Sequence, residues 1–156
     1  MKVAIVGAGK LGMAVTDTLL GGDHAVTIID TDETLLQKVS SHIDVLTVTA
    51  NAKEIRALKS IGISTYDFLI ATTDNDETNL VVSMYAWSKK NPSVITRVDK
   101  QVHVKLLHEV NIDITVSPTE ISVFRIIRFI SGILREDTDE QALVEEFLRI
   151  MRMMRN

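Results

Sequence analysis

Cysteine is absent from this chain of 156 residues, which excludes disulfide staples, a thiol nucleophile and any cysteine-based metal centre. Histidine is scarce. The four present, His24, His42, His103 and His108, lack metal-ligand spacing; His103 and His108 are five apart and point to different helical faces, so surface positions are expected for them. No apolar stretch approaches the roughly 18–20 residues of a membrane span. The apolar start at Met1–Gly7 is broken by glycines and followed by no cleavage region, so it does not read as a signal peptide. Basic residues are not in excess. The formal charge is -4, and nothing in the overall balance points to nucleic acid. Aromatic residues contribute 4%, and the two prolines, Pro92 and Pro118, both fall where the pattern changes. A soluble, cytoplasmic protein is expected.

What the chain does contain is a regular alternation. Hydrophobic residues make up 46%, and the length suits one core. Short apolar, β-branched runs occur at Lys2–Val6, Ala25–Asp30, Val45–Thr49, Phe68–Ala71, Val94–Arg97 and Ile114–Val116. Helix-like segments lie between them, near Lys10–Leu20, Glu33–Ser41, Glu54–Ile61, Asp76–Asn91 and Gln101–Val110. Turn signals fall at Gly21-Gly22-Asp23, Gly62 and Asn91-Pro92-Ser93. This order predicts an α/β fold with a doubly wound six-stranded parallel sheet, a Rossmann arrangement, with extra C-terminal helices.

The first run ends in Gly7-Ala8-Gly9-Lys10-Leu11-Gly12, and the second ends in Asp30. Each part has a physical task in a dinucleotide-binding βαβ unit. Gly7 permits the tight turn, Gly9 lets the backbone approach a pyrophosphate, and Gly12 lets the helix pack close to the strand. The phosphates then face free N–H groups and the positive end of the helix starting near Lys10. Asp30, with Thr31 beside it, would accept hydrogen bonds from ribose hydroxyls and repel a 2′-phosphate.

Ligands of doubly wound sheets lie beyond the carboxyl ends of the strands. Ala50, Asn51 and Ala52 are small or amide-bearing and suit an adenosine; Thr72 and Thr73 offer hydroxyls to a ribose or phosphate. Asp74, Asp76 and Glu77 also satisfy helix N-capping, and that reading is favoured for Asp76 and Glu77. Arg97 fits a structural ion pair or a phosphate contact equally well. No Ser-His-Asp, Tyr-x-x-x-Lys or metal arrangement stands beside these groups, so binding without turnover is the economical reading. A small NAD-dependent oxidoreductase, or a fragment of one, is the alternative, and a scaffold with a vestigial site is a third.

Beyond Pro118 the residues Ile121, Phe124, Ile127, Ile130 and Leu134 repeat at helical spacing, which predicts a helix over Thr119–Leu134. An acidic stretch, Glu136–Glu140, precedes a second amphipathic segment, Gln141–Asn156. A sheet completed at Val116 needs neither helix. Their apolar faces suggest a protein partner or a covalent continuation in preference to a membrane surface.

Val3–Gly12, Asp30, Ala71–Leu80, Thr96-Arg97-Val98 and Ile114–Pro118 together resemble the N-terminal nucleotide-binding domain of Trk/Ktr-type potassium-uptake regulators, the RCK or TrkA-N domain. The resemblance spans roughly Met1 to Leu134. It implies a cytoplasmic regulatory subunit at the inner face of the plasma membrane, held there by an integral-membrane potassium-translocating subunit. It implies homodimers or larger rings, a ligand that is NAD(H) or an adenine nucleotide (ATP/ADP), and no catalytic residues. Carried over, Gly7, Ala8, Gly9, Lys10, Leu11 and Gly12 hold phosphates and Asp30 the adenosine ribose, while Thr72, Thr73, Asp74 and Arg97 complete the pocket. Ala50-Asn51-Ala52 stands where many members carry Gly-Asp-Ala, so one carboxylate is missing there. The expected division is a Rossmann domain at 1–134, whose helix at 119–134 crosses to a neighbouring subunit, and a linker with a terminal helix at 135–156. Full regulators usually continue into a second ligand-binding domain, so a fragment or an isolated N-terminal domain is expected.

Overall fold

The computed structural model describes residues 1–112 and 114–130. Six parallel strands, β1 (Lys2–Val6), β2 (Ala25–Asp30), β3 (Leu46–Thr49), β4 (Phe68–Ala71), β5 (Ser93–Arg97) and β6 (Thr115–Val116), form one sheet in the order β3-β2-β1-β4-β5-β6. The helices are α1 (Lys10–Leu20), α2 (Glu33–Ser40), α3 (Ile55–Ile61), α4 (Asp76–Ser88), α5 (Gln101–Glu109) and α6 (Pro118–Ile130). The strand runs therefore read correctly to within a residue at either end.

Alternation along β1 explains the layering. Ala4 and Val6 enter one core with Leu58 of α3, Leu80, Val82 and Ala86 of α4, and Leu107 of α5. Val3 and Ile5 enter the other core with Leu36 and Val39 of α2, against which α1 packs Met13, Val15, Leu19 and Leu20. A strand buried on both faces must be apolar, and β1 is so from Val3 to Val6, after an exposed Lys2. Hydroxyl groups inside meet one another: Tyr66 donates to Thr27 Oγ1 at 3.1 Å, and the Ser83 and Thr96 hydroxyls meet at 2.6 Å.

Two local features depart from the sequence pattern. Helix α4 stops at Ser88 rather than Asn91, because Asn91 turns its amide to the carbonyls of Ser64 (2.7 Å) and Tyr66 (3.2 Å). Those carbonyls lie within and directly after a 3₁₀ turn at Ile63–Thr65 that has no clear hydrophobic signature.

The chain forms two compact units, Met1–Ser117 and Pro118–Asn156. The first contains the whole sheet. Of the second, α6 is described to Ile130; the expected helix end at Leu134, the boundary at 134/135 and the segment 135–156 lie outside the described residues.

Candidate nucleotide-binding site

Because all strands are parallel, their carboxyl ends share one edge, and the registers set the candidate residues in a row. Asp30 pairs with Thr49, Val6 with both Ile29 and Ala71, and Ala71 with Thr96. One step further along, Asp30, Gly7, Thr72 and Arg97 stand side by side across β2, β1, β4 and β5. The order of strands reverses between β1 and β4, where an open α/β sheet offers its crevice.

Gly7 has φ +105°, a conformation L side chains rarely adopt. A methyl group at Gly12 would collide with the Gly7 carbonyl and come within 2.8 Å of the Thr72 hydroxyl, so close packing of α1 requires glycine there. Gly9 differs: a Cβ there would meet no atom within 4 Å. Its lack of a side chain opens space at the start of α1 and serves no internal packing. Gly9 is the N-cap of α1, no side chain caps the helix, and no acidic residue lies in its first turn. The first N–H groups of α1 thus keep their attraction for an anion. Lys10 and Leu11 follow directly; the Lys10 side chain is exposed and makes no hydrogen bond or ion pair among the described residues.

Asp30 braces the turn. Its Oδ2 accepts the Ala8 N–H at 2.7 Å and its Oδ1 accepts the Asp32 N–H at 3.0 Å, while Gly7 N–H donates to the Ile29 carbonyl at 2.8 Å. Each carboxylate oxygen retains a second acceptor position. Thr31, next in the chain, is exposed.

From the other side, the Thr72 hydroxyl is buried and lies 2.9 Å from the Val6 carbonyl and 3.1 Å from that of Gly7. It clasps the glycine turn from below. The Thr73 hydroxyl donates to Asn79 Oδ1 at 2.7 Å. Fully buried Asn79 also accepts the Thr73 N–H and donates to the carbonyls of Thr73 and Arg97, both at 2.9 Å, fastening the end of β4 to the end of β5. Asp74, at the tip between them, is exposed and makes no hydrogen bond or ion pair among the described residues. At β3, Asn51 donates to Glu54 Oε1 at 3.2 Å and accepts Lys53 N–H at 3.1 Å. The Ala52 methyl belongs to the core.

Two expectations are revised by these contacts. Asn75, not Asp76, caps α4, accepting the Thr78 N–H at 2.8 Å. The Asp76 carboxylate instead accepts the N–H groups of Asp99 and Lys100 and meets His103 Nδ1 at 3.0 Å, so it caps α5 from the neighbouring helix. His103 is accordingly largely buried rather than a plain surface residue. Burial of Asp76 favours its neutral form, but the Lys100 N–H, His103 and the Asp99 N–H outweigh it and hold the carboxyl below its ordinary value. Arg97 forms the ion pair: its Nη2 donates to Asp99 Oδ2 at 3.2 Å, and Asp99 Oδ1 accepts the Ser117 hydroxyl at 3.0 Å. Asn79, Asp99 and Ser117 escaped the sequence reading as anchoring residues. Each stands in or beside a distinctive run, yet each has a partner 18 residues away along the chain: Asn79 holds the Arg97 carbonyl, and Asp99 and Ser117 hold each other.

A family model for the TrkA-N domain matches residues 3–118. The chain belongs to the TrkA-N domain family. It is 33% identical over 118 residues to a Trk system potassium uptake protein TrkA homolog of Methanothermobacter thermautotrophicus, covering 76% of this chain and 55% of that protein. Identity to Trk system potassium uptake protein TrkA of Halomonas elongata is 30% over 136 residues, 83% of this chain and 30% of that protein. The TrkA-N chain thus spans about half or less of these relatives. Two solved structures share its fold. The AMP-bound Kef CTD of Shewanella denitrificans has a TM-score of 0.75 at 15% identity, over 98% of this chain and 92% of that one. The GsuK channel bound to NAD has a TM-score of 0.67 at 16% identity, over 77% and 22%.

Proposed function

We propose that this TrkA-N domain is a nucleotide-responsive regulator of potassium uptake, acting on an integral-membrane potassium-translocating subunit from its cytoplasmic side as part of a homodimer or larger ring. The observation that carries the ligand class is the glycine turn: a bare, uncapped start of α1 beside a carboxylate already oriented by the same turn. NAD(H) or ATP/ADP is the ligand. Its phosphates lie against Gly7, Ala8, Gly9, Lys10, Leu11 and Gly12, and its adenosine ribose against Asp30 and Thr31. Asn51 and Ala52 flank the adenosine. Thr72, Thr73, Asp74 and Arg97 line the far half of the crevice. The names of the TrkA relatives support the transport role, and the AMP and NAD of the structural relatives support the ligand class. Binding alone does not regulate. A ligand shifts an assembly only by the difference in its affinity for the alternative arrangements.

Calorimetric titration of the purified chain with NADH, NADPH, ATP and ADP tests the reading. NADH or an adenine nucleotide binds, and NADPH binds at least about tenfold more weakly than NADH, because Asp30 faces its 2′-phosphate; that ratio is about 1.4 kcal/mol. Equal or tighter NADPH binding removes the role given to Asp30, and no binding of any of the four removes the ligand class.

A further inference from the structure

We infer that Asp30 and Thr72 are positioning residues that clamp the glycine turn from β2 and from β4, and so link recognition of the ribose to recognition of the phosphates. The inference rests on the nucleotide-binding reading above and adds to it how the two halves of the site act together. Three consecutive backbone groups of the turn are spent inside the protein. The Gly7 N–H donates to the Ile29 carbonyl at 2.8 Å, the Gly7 carbonyl lies 3.1 Å from the Thr72 hydroxyl, and the Ala8 N–H donates to Asp30 Oδ2 at 2.7 Å. The Val6 carbonyl, 2.9 Å from that hydroxyl, already accepts the Thr72 N–H at 2.8 Å. The single hydroxyl proton of Thr72 therefore does more at the Gly7 carbonyl. With the inward groups of the turn bonded, the N–H groups that follow, at the uncapped start of α1, are those left for a phosphate.

Neither side chain has to touch a phosphate to do this. Thr72 is buried under the turn, and a Cβ at either Gly7 or Gly12 would come within 3.1 Å of its hydroxyl. Asp30 works in both directions. The oxygen that holds the Ala8 N–H keeps a second acceptor position, which suits a ribose hydroxyl. A ribose bound there steadies the carboxylate, and the steadied carboxylate holds Ala8 and the turn. Without the clamp a fraction of the molecules leaves the binding form, and apparent affinity falls by that fraction. A plain ligand contact behaves differently, because Asp30 would then matter only to ligands that carry ribose hydroxyls.

The probe 2′,3′-dideoxy-ATP, which keeps the phosphates and lacks both ribose hydroxyls, separates the two roles. Asp30→Ala and Thr72→Val should each weaken its calorimetric binding to the 156-residue chain by roughly five- to thirtyfold, and Thr72→Ser should restore it. Amide exchange of the ligand-free protein supplies the second readout. Ala8 should exchange at least about tenfold faster in Asp30→Ala and in Thr72→Val, whereas Ile28, buried within β2, changes by a smaller factor. Unchanged dideoxy-ATP affinity in either variant, or an Ala8 rate equal to wild type, overturns the inference and leaves nucleotide binding standing. A rise at Ile28 as large as that at Ala8 overturns it too, since general destabilisation then accounts for the loss. Where dideoxy-ATP binds wild type too weakly to titrate, the amide rates decide. If the wild type binds neither ATP nor NADH, the underlying reading fails first.

Discussion

Gly9 and Gly12 are three residues apart and are glycine for different reasons. At Gly12 an added methyl meets the Gly7 carbonyl and the Thr72 hydroxyl, both fixed by the strands beneath them. Gly12→Ala should lower unfolding stability by about 1–3 kcal/mol, seen as a lower denaturant midpoint at unchanged m-value. At Gly9 the methyl meets nothing of the protein, so Gly9→Ala should cost only the small loss of a worse N-cap residue, up to about 1 kcal/mol, while weakening nucleotide binding in calorimetry. A fall in stability at Gly9 matching that at Gly12 would mean both glycines serve packing alone.

At the scale of elements, buried side chains join one strand end or helix start to the next. Asn79 holds β4 to β5, and truncating it leaves the Thr73 N–H and the Thr73 and Arg97 carbonyls without their partner. Asn79→Ala should cost about 2–3 kcal/mol in equilibrium unfolding. Asp76 joins α4 to α5 and carries a depressed pKa in the fold. Its contribution is fully present above its ordinary value of 3.8 and is lost as the pH falls through the lower folded value. Asp76→Asn should therefore be less stable than wild type at neutral pH, and the two denaturation curves should converge as the solution is acidified below about 3.8. A constant gap across that range would show that protonation of Asp76 is not linked to folding. Lys90 is a smaller case. At the end of α4 it holds φ +61°, so Lys90→Gly should raise stability by about 0.5–1 kcal/mol in thermal or chemical unfolding.

On the scale of the whole molecule, the sheet is complete without α6, and α6 is strongly amphipathic. Ile126 and Phe129 are 58% and 72% exposed, an unusual surface for a helix of a monomer in water. Association through this helix is the assembly put forward above for the proposed ring. The double substitution Ile126→Asp/Phe129→Asp should shift the chain toward monomer in light scattering, with nucleotide binding still detectable because the glycine turn lies in the other unit. An unaltered oligomer would place the interface elsewhere.

The strands, their order of appearance and the glycine turn were legible in the sequence because their causes are local. A strand covered on both faces must be apolar residue after residue, as in Val3–Val6, and a turn at φ +105° calls for glycine at position 7. Asp30 was legible because it closes the second of two such strands. The fastening of these parts was not. Thr72 reaches back 66 residues to Val6, Asp76 reaches 23 forward to Asp99, and Ser117 reaches 18 back to the same residue. A threonine or aspartate carries the same donors and acceptors whether it caps its own helix or a neighbour's, so its partner appears only when parallel pairing brings the strand ends together. Local sequence thus determined the fold and the place of the candidate site; tertiary structure alone decided that Asp76 and Ser117 both meet Asp99, because hydrogen bonding acts over about 3 Å of space, whatever the separation along the chain.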